Sequence, residues 1–168
     1  LMTSPLKDFE IVLGKFFAAF SLIIIMIIGT FFYPIILLIF GVPDFGPIIT
    51  GYLGLILYSA ATLSIGIFAS SLSSNQLISL IVGSGILSFL TFINFVSLRV
   101  EGIFGTILNE LQLGGSFSLF DRGSFGIAES GHFADFARGI INVYDIIFYI
   151  SICLTFLLLT IFLSLIHI

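Results

Sequence analysis

Four long apolar stretches, separated by short segments rich in polar residues, glycine or proline, dominate the pattern of this chain. About 20 apolar residues in a row are enough to cross a bilayer as an α-helix. No charged side chain occurs between Phe16 and Pro43. The pattern therefore predicts an all-α fold, a polytopic bundle of transmembrane helices. The predicted spans are residues 15–40, 48–70, 77–98 and 146–167.

Pro34 interrupts the first apolar stretch. A proline inside a helix removes one backbone hydrogen bond and favours a kink. A membrane helix tolerates this when a neighbouring group or water bonds the freed carbonyl. We therefore expect a kinked first span. The segment that follows, residues 41–47, contains Gly, Pro and Asp and is typical of a tight turn at an aqueous surface.

Small and polar residues are concentrated in the second and third spans. Small residues at every fourth position let helices approach closely in lipid, and a polar side chain inside a span needs a partner on another helix or in a wet cavity. Packing against helices of the same subunit is favoured over lining a substrate path, and both interpretations stay open. The candidates are Thr62, Gly66 and Ser70 in the second span and Ser88, Thr91 and Asn94 in the third.

Residues 99–145 form a different region, because they hold three of the five basic residues and six of the nine acidic ones. This composition predicts an insertion on the aqueous side of the membrane or at its interface. Apolar residues at helical spacing predict a short amphipathic helix ahead of Gly114. Asp135 and Arg138 are three residues apart and can pair on one helix face, and Asp145 suits the N-cap of the last span. His132 and Asp135 are too few for a zinc site, which needs three or four ligands, so no metal or cofactor is predicted.

Composition agrees with a membrane protein. The chain is 59% hydrophobic and only 8% charged, whereas soluble domains contain about 25% charged residues. This excludes an ordinary water-soluble domain and leaves the lipid bilayer as the expected surroundings. The net charge of −4 gives no reason to expect nucleic acid as a partner. A single cysteine, Cys153, excludes an internal disulfide.

Two segments resemble the ABC-2-type transporter permeases, in particular the branch that contains gliding-motility-associated permeases. The first segment is residues 1–15, where Thr3, Ser4 and Pro5 precede a charged helix start. The second is residues 132–145, where the matching residues are His132, Phe133, Phe136, Arg138, Gly139, Ile141 and Asp145. The resemblance implies that residues 1–168 are a partial permease domain, whose four spans are the third to sixth of six. Asn142 departs from the family pattern, in which an acid is frequent at this position.

The resemblance also implies a function, namely the membrane subunit of an ATP-driven exporter in the bacterial inner membrane. Its partners would be a separate ATPase subunit and a second permease subunit, identical or different. The first span would transmit the motion of the ATPase as a rigid body, and residues 99–145 would lie outside the cytoplasm. The residues implied to contact the ATPase are Leu1, Met2, Thr3, Ser4 and Pro5. Those implied to shape the outer loop are His132, Asp135, Arg138, Gly139 and Asp145.

Sequence signatures of catalysis are missing from the chain. Gly14-Lys15 is not a phosphate-binding loop, because Phe9 and Phe16 stand where Gly and Ser or Thr are required. No HExxH motif or Ser/His/Asp set is present, so we do not expect an enzyme. A non-transporting membrane anchor or scaffold of a surface machine, such as the gliding apparatus, would use the same four spans and remains the alternative.

Overall fold

A computed structural model of the chain describes residues 8–41, 43–97, 100, 102–114 and 131–166, which form seven helices and no strand. The helices are α1 (Asp8–Gly29), α2 (Phe32–Phe40), α3 (Phe45–Leu72), α4 (Gln76–Ser97), α5 (Ile103–Glu110), α6 (His132–Ala137) and α7 (Val143–Ile166). Leu1, Met2, Thr3, Ser4 and Pro5 lie outside the described residues, as does the side chain of Asn94. The predicted all-α class is therefore confirmed for the described part of the chain.

Four segments of these helices are long and apolar enough to cross a membrane, as the sequence predicts. They are Phe9–Phe40, Phe45–Leu72, Gln76–Ile93 and Val143–Leu165. The helix α3 begins earlier than predicted because Pro47 falls in its first turn, where the missing N–H has no intrahelical partner to lose. This part of the chain is compatible with a multi-pass membrane protein.

The first span is broken near Pro34 into α1 and α2. Proline at this position cannot donate to the carbonyl of Thr30, four residues earlier. That carbonyl accepts instead from the backbone N–H of Tyr33 and from the hydroxyl of Tyr52 on α3, both at 3.0 Å. The Tyr52 ring stacks on Phe31 with centroids 4.5 Å apart. The predicted kink and its compensation by a neighbouring helix are confirmed. Transmission of motion by the first span as a rigid body stays a prediction.

The helix α3 lies at the centre and contacts α1, α4, α6 and α7. Tyr58 and Phe68 on α3 pack against Tyr149 and Phe156 on α7 in the same order, so these two helices run parallel. The fully buried Ala61 and Ile65, Leu113, Phe136 and Tyr149 form the main core. A second cluster, made of Val12, Phe16 and Leu157, joins α1 to α7.

The surface of α3 that packs closely differs from the predicted small-residue stripe. Thr62 is half-buried, whereas Gly66 and Ser70 are exposed, and no atom lies within 4 Å of the position a Cβ would take at Gly66. The close contact with α4 is made instead by Ala69, whose Cβ lies 3.1 Å from the position of a Cβ built on Gly83. Within the described chain, the stripe is therefore not a helix contact at Gly66 or Ser70.

The predicted amphipathic helix in the insertion is confirmed as α5. The chain after α5 turns back along α4, because the backbone N–H of Leu113 donates to the carbonyl of Leu90 at 3.2 Å. Leu90 lies seven residues before the end of α4 at Ser97. With a rise of about 1.5 Å per residue, this contact lies roughly 10 Å from the end of the helix. The segment 111–114 thus runs back alongside α4, towards the middle of the bundle, and lies next to α7.

Candidate functional site

A group of polar side chains meets at the end of the bundle where α5 and α6 contact the start of α7. They surround an open cavity of about 220 Å³. Of the side chains that line it, three are acidic and one is a histidine, and no lysine or arginine is among them. The lining residues are Glu110, Gly131, His132, Asp135, Asn142, Tyr144 and Asp145.

The helix α6 places this site by sitting directly on α3. Phe136 is fully buried, and its carbonyl accepts a hydrogen bond from the Thr50 hydroxyl at 2.6 Å. A Cβ built on Gly54 would lie 2.8 Å from the Cβ of Phe136, closer than real carbon atoms approach. Gly54 is therefore the residue that allows α6 to lie against α3.

The Arg138-Gly139 turn ends α6 and directs the chain towards α7. Gly139 has a φ of +88°, a conformation that L side chains rarely adopt. Its N–H donates to the carbonyl of Phe136 at 3.3 Å, and the next N–H, from Ile140, donates to Asp135 at 2.9 Å. These two bonds form a Schellman motif, in which glycine is strongly preferred. The resemblance assigned Gly139 to the shape of this loop, and the backbone supplies the reason.

His132 joins α5, α6 and α7 through both of its ring nitrogens. Nδ1 lies 2.6 Å from Oδ1 of Asp145, and Nε2 lies 3.0 Å from the backbone carbonyl oxygen of Glu110. The ring stacks on Phe148 with centroids 3.8 Å apart, and 6% of the side chain is exposed. Three chain segments, from α5 to α7, are thus held at one imidazole.

The predicted N-cap role of Asp145 is wrong. The helix α7 begins at Val143, so Asp145 belongs to its first turn. The residue is only 4% exposed, and its carboxylate faces His132 rather than the backbone N–H groups of α7. The last helix starts before the apolar run that begins at Ile146. The N–H of Ile146 donates to the carbonyl of Asn142 at 3.4 Å, and this bond adds Val143, Tyr144 and Asp145 to the helix as its first turn.

Two tyrosines on α7 bond α5 and the segment that follows it. The hydroxyl of Tyr144 donates to Oε2 of Glu110 at 2.8 Å, and the hydroxyl of Tyr149 donates to the carbonyl of Leu113 at 2.7 Å. The amide of Asn142 donates to the carboxylate of Asp135. An acid at this position, as is frequent in the family that the sequence resembles, would instead place two carboxylates against each other. The predicted pairing of Asp135 with Arg138 stays a prediction.

The contacts of His132 do not match those of a catalytic base. A histidine that acts as a general base needs a free ring nitrogen that faces a nucleophile, but Nε2 of His132 faces a backbone carbonyl. Among the described residues, no three His, Cys, Asp or Glu side chains are placed to hold a metal ion. The Oδ2 atom of Asp145 is buried and has no hydrogen-bond partner there.

The intramembrane candidates lie elsewhere and do not join this site. The hydroxyl of Thr62 bonds the carbonyls of Tyr58 and Ser59 at 3.0 and 3.1 Å, and that of Thr91 bonds Leu87 at 2.8 Å. Ser88 is exposed. None of the three lines the cavity.

Sequence reasoning selected His132 and Asp145 but did not join them, and it missed Glu110 and Tyr144. The histidine and the aspartate are 13 residues apart, across a turn whose direction depends on Gly139. Glu110 lies a further 22 residues before the histidine. The available signal was the occurrence of an aspartate within the first turn of a strongly apolar helix, where a buried charge requires a partner.

Comparison with protein-family models, with curated proteins and with solved structures finds no match to this chain.

Proposed function

We propose that this chain is part of the membrane subunit of an ABC-2-type exporter, which couples ATP hydrolysis by a separate ATPase subunit to the movement of a substrate across the bacterial inner membrane. The observation that carries the proposal is the fold of residues 132–145. The segment that resembles the permease family forms a short helix, a glycine turn and the start of the last long helix. Four helices of sufficient length and apolarity support the same proposal.

The break in the first span suggests how motion would travel through the subunit. An ATPase that acts on residues 1–5 would move α1, which contacts α3 and α7. Because α1 ends at Gly29 and α2 begins at Phe32, a movement of α1 would not have to move α2 by the same amount. The hydrogen bond from the Tyr52 hydroxyl to the Thr30 carbonyl joins the C-terminal end of α1 to α3. The central helix, rather than α2, would therefore receive the motion.

The partners of the proposed function are the ATPase, a second permease subunit and lipid. The side chains of α1 and α2 are largely exposed within the chain, and none of the α2 residues is buried. Apolar surface of this extent requires a partner helix or lipid around it. Both surroundings are available to a permease that works as a dimer.

The coupling role is tested with the full-length protein and the ATPase encoded beside it. We expect that replacing Thr3, Ser4 and Pro5 by alanine leaves the two proteins able to fold but abolishes stimulated ATP hydrolysis and transport. The matched control replaces Ser73 and Ser74 by alanine, in the turn between α3 and α4. Unchanged ATP hydrolysis and transport in the first variant would show that residues 3–5 do not couple the subunits.

A non-transporting anchor or scaffold for a surface machine is the second candidate. The observation that favours it is the engagement of the Thr62 and Thr91 hydroxyls with carbonyls of their own helices, which leaves these two side chains without a donor for a substrate. Deleting the neighbouring ATPase gene separates the candidates. An anchor retains its function in the deletion strain, whereas an exporter loses it.

A further inference from the structure

The cavity between α5, α6 and the start of α7 has an excess of acidic side chains. Glu110, Asp135 and Asp145 line it, and no lysine or arginine is among the described lining residues. Each of the three acids is formally negative, and His132 would offset one of them at most, whatever its protonation state. The cavity of about 220 Å³ therefore has a net negative lining, which attracts a cation.

Asp145 supplies an independent observation that points to a ligand. Its side chain is 6% exposed, and one oxygen, Oδ1, lies 2.6 Å from Nδ1 of His132. The other oxygen, Oδ2, is buried and has no hydrogen-bond partner in the described part of the chain. A buried carboxylate oxygen without a donor is costly. Because Asp145 lines the cavity, a donor bound there would supply the missing hydrogen bond, whichever nitrogen of His132 is protonated.

We propose that this cavity binds a primary ammonium group. Each of the three carboxylates already uses one oxygen, in contacts with Tyr144, Asn142 and His132 respectively. A guanidinium that binds a carboxylate through two parallel hydrogen bonds needs both oxygens, whereas an ammonium has three N–H donors that separate acceptors can bind one at a time. A quaternary ammonium has no N–H and would leave Oδ2 of Asp145 unpaired. Among the described residues, no group of three ligands is placed to hold a metal ion.

The size and position of the cavity suit a small head group. Its volume of about 220 Å³ is below the roughly 300–1,000 Å³ of pockets that enclose drug-sized ligands. It lies at the start of the apolar segment Val143–Leu165, and apolar side chains next to its lining residues are exposed, among them Ile107 and Ile141. Such a position is at the depth of lipid head groups for a helix that crosses the bilayer. The ammonium can therefore come from an ethanolamine phospholipid or from a free amine. This inference does not depend on the proposed transport function.

Two measurements on the full-length protein distinguish the sources. In the first, nanodiscs contain equal amounts of phosphatidylethanolamine and phosphatidylcholine, and native mass spectrometry identifies the lipids that stay bound to the protein. In the second, nanodiscs contain phosphatidylcholine alone, and the midpoint of thermal unfolding is measured with n-propylamine, n-propanol or propyltrimethylammonium, because a ligand that binds the folded state raises this midpoint.

Preferential retention of phosphatidylethanolamine supports the proposal with lipid as the source. A midpoint raised by n-propylamine alone, without lipid preference, supports it with a free amine as the source. Equal retention of the two lipids, together with no effect of n-propylamine beyond that of the other two compounds, overturns the proposal.

Variants of the acids locate the binding site. Asp145→Asn keeps the size of the side chain and removes its charge, and the double variant E110Q/D135N reduces the charge while it leaves the contact between Asp145 and His132 in place. We expect each to weaken ammonium binding about tenfold or more, the factor that corresponds to one hydrogen bond to a charged group. Asp44→Asn is the matched control, because Asp44 precedes α3, which runs parallel to α7, and does not line the cavity. Binding that is unchanged in both D145N and E110Q/D135N, or is weakened equally in D44N, overturns the site.

Discussion

The contact between Gly54 and Phe136 allows a sharp test of how α6 is seated on α3. Replacing Gly54 by alanine adds a methyl group whose carbon would lie 2.8 Å from Cβ of Phe136. Non-bonded carbon atoms are ordinarily about 3.5–4.0 Å apart, so α6 would have to move away by roughly 1 Å. The obstructing atom is a Cβ, which moves only with its backbone. The shift would also stretch the hydrogen bond from Thr50 to the carbonyl of Phe136, now 2.6 Å long.

Gly66→Ala is the matched control for this substitution. Gly66 lies on the same helix, and nothing is within 4 Å of its added methyl group. Both substitutions raise helix propensity by a similar amount, up to about 1 kcal/mol. The difference between the two variants therefore isolates the cost of overpacking, which is typically about 1–3 kcal/mol. We expect G54A to be less stable than G66A by that amount.

The assay is thermal unfolding of the full-length protein, followed by the reaction of Cys153 with a thiol-specific fluorophore. Cys153 is half-buried and packs against the cluster that joins α1 to α7, so it becomes reactive when the bundle opens. G54A should open at a lower temperature than the parent and G66A. Equal midpoints for the two alanine variants would refute the seating of α6 on α3 at Gly54.

Two further hydrogen bonds give predictions of the same kind. Thr50→Val removes the donor to the carbonyl of Phe136 and should lower the unfolding free energy by about 1 kcal/mol. Thr62→Val is the control, because it loses only bonds within its own helix, and it should lower the unfolding free energy less. Equal losses of stability in thermal unfolding would contradict this prediction. Tyr52→Phe removes the donor to the Thr30 carbonyl and should cost about 0.5–1 kcal/mol. In a Pro34→Ala background, which restores the backbone donor, the cost of Tyr52→Phe should fall, and a double-mutant cycle without coupling would show that Tyr52 does not compensate for the proline.

The long helices could be predicted from the sequence because length and the lack of charge suffice to define them. The kink at Pro34 was also predictable, since the missing N–H is a property of the residue itself. The sequence did not identify Tyr52 as the compensating donor. Its position depends on how α3 crosses the first span, and many arrangements of apolar helices satisfy the same pattern.

The contacts between helices were harder to predict than the helices. A repeat of small residues at Thr62, Gly66 and Ser70 defines a face of α3, but periodicity does not say which neighbour covers that face. Ala61 and Ala69, on a different face, turned out to be buried. For the same reason, the N-cap assigned to Asp145 was wrong: capping preferences are local, whereas the partner of this carboxylate is brought in by another helix.

The bend at Thr30 has a consequence for the tightness of the membrane. A backbone carbonyl that is left open in the middle of a bilayer attracts water, and a file of water molecules is a route along which protons and small ions leak. Here the Tyr33 N–H and the Tyr52 hydroxyl both donate to the Thr30 carbonyl, each at 3.0 Å, roughly 10 Å from the start of α3 at Phe45. The first span can thus change direction while the Thr30 carbonyl stays hydrogen-bonded, so we expect the bend to add no leak of protons or small ions across the bilayer.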